Sequence, residues 1–251
     1  IFCDIYPDTL TIDAGKAEKL INKKTGAIIG VHLFGNTCDV EKLNKLSRKY
    51  NLKVIYDAAH AFNCSFGNKN IGSFGNAEIV SFHATKFFST FEGGAILTND
   101  SKLDARLRHL RNFGFTGYDK VEFLGINAKM PELSAAMGLA SLQSIGNRID
   151  RLKKNYFIYY KKLNSIPGIK LIPVGRQGRS NYQFSPILVD EKKFGVSRDL
   201  LYHILWKENV IARRYFYPGC HRMEPYNTLY RGVYRRLPVT EEVSKRILCL
   251  P

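Results

Sequence analysis

Reactive side chains follow two apolar segments of the chain, and their types suit proton transfer. The segment LKVIY leads into Asp57, and His60 follows three residues later. The segment EIVSF contains Ser81 near its end, and Lys86 comes five residues after that serine. A carboxylate directly after a buried strand is poorly solvated, so we expect Asp57 to need a cationic partner.

One cofactor uses this combination of groups. Pyridoxal phosphate needs a lysine for a Schiff base, a carboxylate that keeps its pyridine nitrogen protonated, and hydroxyls and backbone amides for its phosphate. Glycines after Glu92 allow close backbone approach. Taken singly, Asp57 could be a helix cap, Lys86 a surface residue, and His60 and His83 structural histidines. Their joint order and spacing favour the cofactor.

Alternating strands and helices position these residues in the first half of the chain. Apolar runs predict strands at 27–33, 52–56, 78–82 and 94–98, and residues 1–13 resemble a further strand. A helix capped by Asp39 and a basic helix at 102–112 lie between or after them. The pattern predicts an α/β fold with a mostly parallel, covered sheet, whose ligand sites lie beyond the carboxyl ends of the strands.

The second half has a different pattern. One long helical pattern runs from Pro131 to Leu163, and strands at 182–189 and a helix capped by Ser197 follow. This predicts a smaller α+β domain. We place the large domain at residues 1–145 and the small domain at residues 146–251.

Composition excludes several classes of protein. The 251 residues are 45% hydrophobic and 24% charged, which is globular rather than disordered or fibrous. The run AIIGVHLF is too short to span a bilayer. Five widely spaced cysteines without a CxxC argue against a disulfide framework or a zinc site, so we expect a cytoplasmic protein without a metal.

The net charge of +16 does not by itself identify a partner. Basic residues cluster at 148–162 and 231–236. Solvated helix faces, an acidic phosphorylated substrate or nucleic acid would each explain them. No zinc-finger or RNP motif is present, so we expect no nucleic-acid partner.

The sequence resembles the DegT/DnrJ/EryC1/StrS sugar aminotransferases, which have the fold type I architecture of the aspartate aminotransferases. The segments that carry the resemblance run from end to end of the chain: VHLFGNTCDVEKL, LKVIYDAAHAF, GSFGNAEIVSFHATK, EGGAILTND, LRHLRNFG, GINAKMPELSAAMGL and LPVTEEVSKRILCLP. The resemblance implies pyridoxal 5'-phosphate as cofactor, with Lys86 as the Schiff-base lysine and Asp57 on the pyridine nitrogen. It also implies His60 near the 3' oxygen and Ser81 on the phosphate.

The resemblance further implies partners and substrates. Asn127 matches an asparagine that reaches the phosphate from the neighbouring subunit, so a homodimer with shared sites is expected. His83 and Glu92 favour amination of a dTDP-linked keto sugar at its 4-position, with L-glutamate as amino donor. The segment YFYPGCH suggests that Tyr217 and His221 approach the sugar, although aromatic packing would equally explain them.

The sequence departs from the family pattern at several points. Phe91 and Lys129 replace a glycine and an arginine that many relatives have. The family's N-terminal part, which includes a phosphate-binding helix, has no counterpart here, so we expect an incomplete chain that binds the cofactor poorly.

The alternative functions are a 3-keto sugar aminotransferase and a non-catalytic regulatory relative. Retention of Lys86 and Asp57 argues against the latter, and Lys86 excludes a dehydratase with histidine at that position.

Overall fold

The computed structural model describes residues 1–251. Its strands are Ala27–Val31 (β1), Lys53–Asp57 (β2), Ser65–Phe66 (β3), Lys69–Asn70 (β4), Ala77–Ser81 (β5), Gly94–Leu97 (β6), Phe115–Gly117 (β7), Lys120–Val121 (β8), Ile169–Leu171 (β9), Ser185–Val189 (β10) and Ile247–Leu250 (β11). Its α-helices are Ala14–Leu20 (α1), Val40–Tyr50 (α2), Ser101–Leu110 (α3), Glu132–Gln143 (α4), Ile145–Leu163 (α5), Glu191–Phe194 (α6), Arg198–Lys207 (α7), Tyr226–Leu229 (α8) and Pro238–Arg246 (α9).

The larger sheet has four strands in the order β1-β2-β5-β6. Strands β1, β2 and β5 are parallel, and β6 runs antiparallel to β5. All four strands were predicted, as were helices α2 and α3. Because β2 and β5 are adjacent and parallel, Asp57 and Ser81 at their ends lie at the same edge of the sheet. The α/β fold class with a mostly parallel sheet is confirmed.

One face of this sheet is covered and the other is open. Side chains of α1 and α2 pack against Ile28, Val54 and Tyr56 in a cluster of 11 buried residues. Alternate positions of the same strands expose apolar side chains on the opposite face, namely Ile29, Val31, Ile79 and Ile96. The expectation of a covered sheet therefore holds for one face only.

The smaller sheet is antiparallel, with the order β11-β10-β9. Tyr156 of α5 packs against it together with Leu171, Ile187 and Leu248. These strands with their helices form the smaller α+β unit that the sequence predicts. The exact boundary between residues 145 and 146 stays a prediction.

The helix predicted from Pro131 to Leu163 is two helices. Ser144 has φ −107° and ψ 5°, outside the helical range, and it separates α4 from α5. Its hydroxyl donates a hydrogen bond to the Ser141 carbonyl at 3.3 Å, and Gly146 follows. Serine side chains compete with the helical backbone for hydrogen bonds, and glycine weakens a helix. The apolar pattern continues across this break and does not reveal it.

The first residues of the chain are hydrogen-bonded to helix α9 near its end. Residues 1–13 were predicted as a strand, but they form a turn closed by one bridge between Ile5 and Ile12, so that prediction is wrong. Buried Asp4 accepts hydrogen bonds from the Thr240 backbone N–H at 2.8 Å and hydroxyl at 2.7 Å. Burial alone would raise the pKa of Asp4, but Lys16 and these donors outweigh it and hold the pKa at about 2.

Both predicted helix caps are present. The Asp39 carboxylate accepts from the Lys42 N–H at 3.0 Å, and the Ser197 hydroxyl accepts from the Leu200 N–H at 3.2 Å.

None of the helices combines the length and the apolar character that a membrane span requires.

Candidate active site

Asp57 is the last residue of β2 and lies on the open face of the sheet. Successive side chains of a strand alternate between faces, so Tyr56 is fully buried while Asp57 is exposed. Asp57 Oδ1 accepts a hydrogen bond from the Ala59 N–H at 2.9 Å. The expectation of a poorly solvated carboxylate is therefore wrong in this structure.

His60 lies just beyond Asp57 and is buried among aromatic rings. Its Nδ1 atom is buried without a hydrogen-bond partner. Burial first, and the charge of Lys86 second, lower the pKa of His60 to about 3. His60 is therefore a neutral imidazole at physiological pH.

Lys86 lies in the loop after β5 and is half-buried. Its backbone N–H donates to the His83 carbonyl at 2.9 Å, within a loop that the Phe82 N–H closes by donating to the Gly93 carbonyl. Burial lowers the pKa of the Lys86 amine, and the negative charge of Asp57 opposes that shift. The structure thus brings Asp57, His60 and Lys86 within electrostatic reach of one another.

The glycines after Glu92 allow the close approach that the sequence predicts. Gly94 pairs with Ser81 across β6 and β5. A Cβ atom added to Gly94 would lie 2.8 Å from the Val80 carbonyl oxygen. Any larger residue would therefore push β6 away from the strand that ends at Ser81.

His83 and Glu92, both predicted to contact substrate, face each other across this loop. His83 Nε2 lies 3.5 Å from Glu92 Oε1, and both side chains are exposed. His83 Nδ1 is 2.9 Å from the Thr85 hydroxyl. The Ser81 hydroxyl accepts from the His83 N–H at 3.3 Å, which holds the predicted phosphate ligand next to this pair.

Asn127 lies in an exposed segment that leads to α4, and its backbone bridges to Asn112. Met130, from the end of the same segment, approaches Gly93 in the Lys86 loop. The Ser141 hydroxyl of α4 donates to the Ser89 carbonyl at 3.5 Å. The Lys86 loop therefore rests on α4 and on the segment that contains Asn127.

Tyr217 and His221 lie in different surroundings. The half-exposed Tyr217 ring packs against the guanidinium groups of Arg198 and Arg214, at 4.7 and 5.6 Å from its centroid. His221 is buried, with Nε2 2.5 Å from Glu241 Oε1, and its ring packs edge-on against Phe2 at a centroid distance of 6.1 Å. Contact of either residue with substrate stays a prediction.

Sequence reasoning did not identify the segment 180–184, which reaches the site from the second half. Asn181 is fully buried, and its side-chain amide donates to the carbonyls of His60 and Phe62. The Gln183 side chain donates to the Thr85 carbonyl at 3.2 Å. A buried asparagine has no spacing pattern that would have revealed it.

The match to known proteins covers the whole chain. Residues 1–251 match the DegT/DnrJ/EryC1/StrS aminotransferase family. The chain belongs to this family. The resemblance found in the sequence is confirmed, and the expected class, a nucleotide-sugar aminotransferase family enzyme, is confirmed with it.

Two relatives within the DegT/DnrJ/EryC1/StrS family, from different bacteria, share one enzyme name. The chain is 40% identical to the dTDP-4-amino-4,6-dideoxy-D-glucose transaminase of Shigella dysenteriae and 39% identical to that of Escherichia coli, covering 100% of this chain and 68% of each relative. The solved structure of DesI in the presence of its TDP-sugar product has a TM-score of 0.92 at 40% identity, covering 100% of this chain and 63% of DesI. The chain therefore spans about two thirds of the length of these relatives.

Pyridoxal phosphate is the cofactor of this family, and the residues present fit it. The buried Nδ1 of His60 has no partner, Asp57 presents an exposed carboxylate, and burial favours the neutral amine of Lys86. Asp57 and Lys86 match the pyridine-nitrogen acceptor and the nucleophile that the cofactor requires, and the His60 imidazole has a free ring nitrogen beside them. No group of three or more His, Cys, Asp or Glu side chains is placed to hold a metal ion.

Proposed function

We propose that the protein is an aminotransferase that moves the amino group of L-glutamate to the 4-keto carbon of a dTDP-linked 4-keto-6-deoxyhexose, for use in surface-glycan (O-antigen) assembly. The observation that carries the proposal is the grouping of Lys86, Asp57 and His60 at one edge of the sheet. Their charges act on one another: Asp57 opposes the loss of the Lys86 proton, and Lys86 disfavours protonation of His60. Family membership supports the reaction class.

Lys86 is the nucleophile and the proton carrier. Bound pyridoxal phosphate supplies an electron sink for the substrate carbanion. Burial disfavours the ammonium form of Lys86, so a larger fraction of its Nζ is neutral than for a solvated lysine. A neutral Nζ would hold the cofactor through its carbonyl carbon, with loss of water, until the amino group of L-glutamate displaces it. The freed Nζ would then take a proton from Cα of the amino donor and later return a proton to the sugar carbon that receives the amine.

Asp57 and His60 hold the cofactor ring. The Asp57 carboxylate would accept a hydrogen bond from the protonated pyridine nitrogen and so keep that nitrogen positively charged, which the electron sink requires. His60 is neutral, so it binds the 3' oxygen by a hydrogen bond without adding a second positive charge beside Lys86. Ser81 at the end of β5 holds the phosphate.

Two observations support a 4-keto sugar as the acceptor. The two relatives at 40% and 39% identity are both named as dTDP-4-amino-4,6-dideoxy-D-glucose transaminases. His83 and Glu92 are exposed beside Ser81 and are placed to contact the sugar. Part of the positive charge of the chain serves the diphosphate of the sugar nucleotide.

A homodimer with shared sites completes the proposal. Asn127 is exposed, and its neighbours Leu124 and Ile126 expose apolar side chains, with relative accessibilities of 101% and 68%. An exposed apolar patch is typical of a protein interface. In the dimer, Asn127 of one subunit donates to the phosphate held by Ser81 of the other.

Cofactor binding is tested first. The full-length protein is mixed with pyridoxal phosphate, reduced with borohydride and digested, and the modified peptide is mapped by mass spectrometry. We expect a visible absorbance band that L-glutamate bleaches, and a label on Lys86 that Lys86→Ala abolishes. A protein without a band or a label on Lys86 would contradict the proposed function. The proton NMR spectrum of the product then distinguishes a 4-amino sugar from a 3-amino sugar.

The shared site is tested by mixing two inactive variants. Each site would take Lys86 from one subunit and Asn127 from the other. A dimer of one Lys86→Ala subunit and one Asn127→Ala subunit therefore has one site with both substitutions and one intact site. Random exchange should restore about a quarter of the wild-type activity, since half of the dimers are mixed and each has one intact site. Mixtures that stay inactive while sedimentation shows a dimer would place Asn127 outside the partner's site.

A further inference from the structure

Three phenylalanine rings enclose the imidazole of His60. The ring centroid of Phe184 lies 4.4 Å from that of His60, Phe216 lies at 5.7 Å, and Phe34 at 5.8 Å. The rings of Phe34 and Phe216 are nearly parallel, with 3° between their planes. Phe34 and His60 come from the first half of the chain, whereas Phe184 and Phe216 come from the second. The enclosure therefore joins the two halves at the candidate site.

This enclosure determines which ring nitrogen carries the proton. His60 Nδ1 is buried without a hydrogen-bond partner. Buried N–H groups without an acceptor are rarer in proteins than acceptors without a donor, because the unpaired donor is the costlier defect. In the favoured neutral tautomer, Nδ1 is therefore unprotonated and Nε2 carries the hydrogen.

We infer that Phe216 is a positioning residue that, with Phe34 and Phe184, holds His60 as the neutral imidazole protonated at Nε2, so that His60 acts only as a hydrogen-bond donor. The inference depends on the proposed function only where it names the acceptor, the 3' oxygen of pyridoxal phosphate. His60 then neither gives nor takes a proton in the reaction. Proton transfer is left to Lys86.

The charges around His60 agree with this assignment. Lys86 is the charged group that acts on His60, and with burial it lowers the pKa of the imidazole to about 3. The two arginines that precede Phe216 are directed elsewhere: Arg214 Nη1 donates to Asp199 at 2.9 Å, and Arg213 lies over Trp206.

The other ionisable groups on the packed segments contact residues other than His60. Tyr182, in the segment of Phe184, packs against Tyr156 and Phe157. Tyr215 stacks on Phe216 itself. His32, beside Phe34, is directed to Glu78. Asp57 faces the open side of the sheet and acts on Lys86.

Phe216 is the member of the enclosure that can be removed with least damage. It is 48% exposed, whereas Phe34 is fully buried. Truncating a half-exposed ring costs less stability than truncating a core ring. Phe216→Ala therefore tests the enclosure in a folded protein, and Phe216→Leu, which keeps apolar bulk without a ring, is the second variant.

The test is a ring ¹⁵N NMR titration of the histidines in the protein without added cofactor, between pH 5 and pH 8. The His60 signals are assigned as those missing in His60→Gln. We expect one tautomer, protonated at Nε2, with no titration in this range. In Phe216→Ala the His60 signals should titrate within this range, with the pKa moved up by about two pH units or more because water reaches the ring. Phe216→Leu should give a smaller change, and Phe216→Tyr should behave as wild type.

Phe157→Ala is the matched control, since Phe157 is 50% exposed but packs on Tyr156, Tyr160 and Tyr182 rather than on His60. It should leave the His60 signals unchanged. A wild-type His60 that titrates in this range, a proton on Nδ1, or a Phe216→Ala variant identical to wild type would overturn the inference. These outcomes are independent of the absorbance band and the Lys86 label, so a failure of the proposed function would be recognised separately.

Discussion

Asn181 and His60 lie 121 positions apart in the sequence, yet the Asn181 side-chain amide donates a hydrogen bond to the His60 carbonyl at 3.1 Å. The same nitrogen donates to the Phe62 carbonyl at 3.0 Å. Asn181 Oδ1 accepts a hydrogen bond from the Gln183 N–H, so both the nitrogen and the oxygen of the side-chain amide form hydrogen bonds. One buried side chain of the second half thus fixes the backbone that positions His60.

Asn181→Ala should destabilise the protein and weaken cofactor binding together. The substitution leaves two carbonyl groups without their donor, at a cost of about 2 to 3 kcal/mol. Urea unfolding measures the loss, and the absorbance band measures cofactor affinity. Asn164→Ala is the control, because Asn164 is exposed at the end of α5 and its side chain caps nothing. Equal stability of the two variants would contradict the role of Asn181.

Asp57→Asn should lower the pKa of Lys86 further while impairing catalysis. The negative charge of Asp57 stabilises the Lys86 ammonium, so its removal leaves the effect of burial unopposed. Reductive methylation with ¹³C-formaldehyde followed by NMR reports the Lys86 pKa. Turnover should fall by about a hundredfold or more, because the pyridine nitrogen loses its acceptor.

Asp119→Asn provides the control for Asp57→Asn. Asp119 is an exposed turn residue without an ion pair, and its substitution should change neither the Lys86 pKa nor turnover. An Asp57→Asn variant that bound cofactor and kept wild-type turnover would refute the role of Asp57. An unchanged Lys86 pKa would show that the two side chains do not interact.

The sequence predicts the elements well where local patterns decide them. Apolar runs located β1, β2, β5 and β6, and capping residues located α2 and α7, because a buried strand and a helix start each have a local physical requirement. The break at Ser144 and the turn in residues 1–13 were missed. Both depend on hydrogen bonds and packing that an apolar pattern does not encode.

The candidate site was predictable only in part. Asp57, His60, Ser81 and Lys86 follow strands and have short spacings, so reasoning from strand ends identified them. The exposure of Asp57 was not predictable, because it depends on which face of the sheet other elements cover. Asn181, Phe184 and Phe216 contact His60 across more than a hundred residues of chain, and no local pattern marks such long-range packing.

Gly94→Ala should destabilise the sheet beside the site. A Cβ atom at Gly94 would lie 2.8 Å from the Val80 carbonyl oxygen, and the hydrogen-bonded backbone of the β5–β6 pair cannot move aside readily. We expect a loss of about 1 to 3 kcal/mol by urea unfolding, with weaker cofactor binding since Ser81 pairs with Gly94.

Gly146→Ala is the matched control for Gly94→Ala. A Cβ atom at Gly146 meets nothing within 4 Å, and the residue lies in the first turn of α5. Alanine there should leave stability unchanged or raise it by up to about 1 kcal/mol. If both variants unfolded at the same urea concentration, the close contact between Gly94 and Val80 would have no energetic consequence.

Glu241→Gln should lower stability at neutral pH and lose that effect in acid. Hydrogen bonds from Arg222 at 2.8 and 2.7 Å, opposed by burial and aided by His221, hold the pKa of Glu241 at about 2. A carboxyl group whose pKa is lower in the folded state stabilises the protein above its unfolded pKa, near 4.5. That stabilisation, about 2 to 3 kcal/mol, is lost as the pH falls from 4.5 towards 2.

Urea unfolding at pH 3, 5 and 7 measures this pH dependence. The difference between wild type and Glu241→Gln should be largest at pH 5 and 7 and smaller at pH 3, where the wild-type carboxylate has lost much of its advantage over an unfolded chain. Glu242→Gln is the control, because Glu242 forms an exposed i,i+4 pair with Arg246 and surface pairs contribute at most about 1 kcal/mol. A difference for Glu241→Gln that stayed constant over this range would show that the contacts of Glu241 with Arg222 and His221 do not lower its pKa.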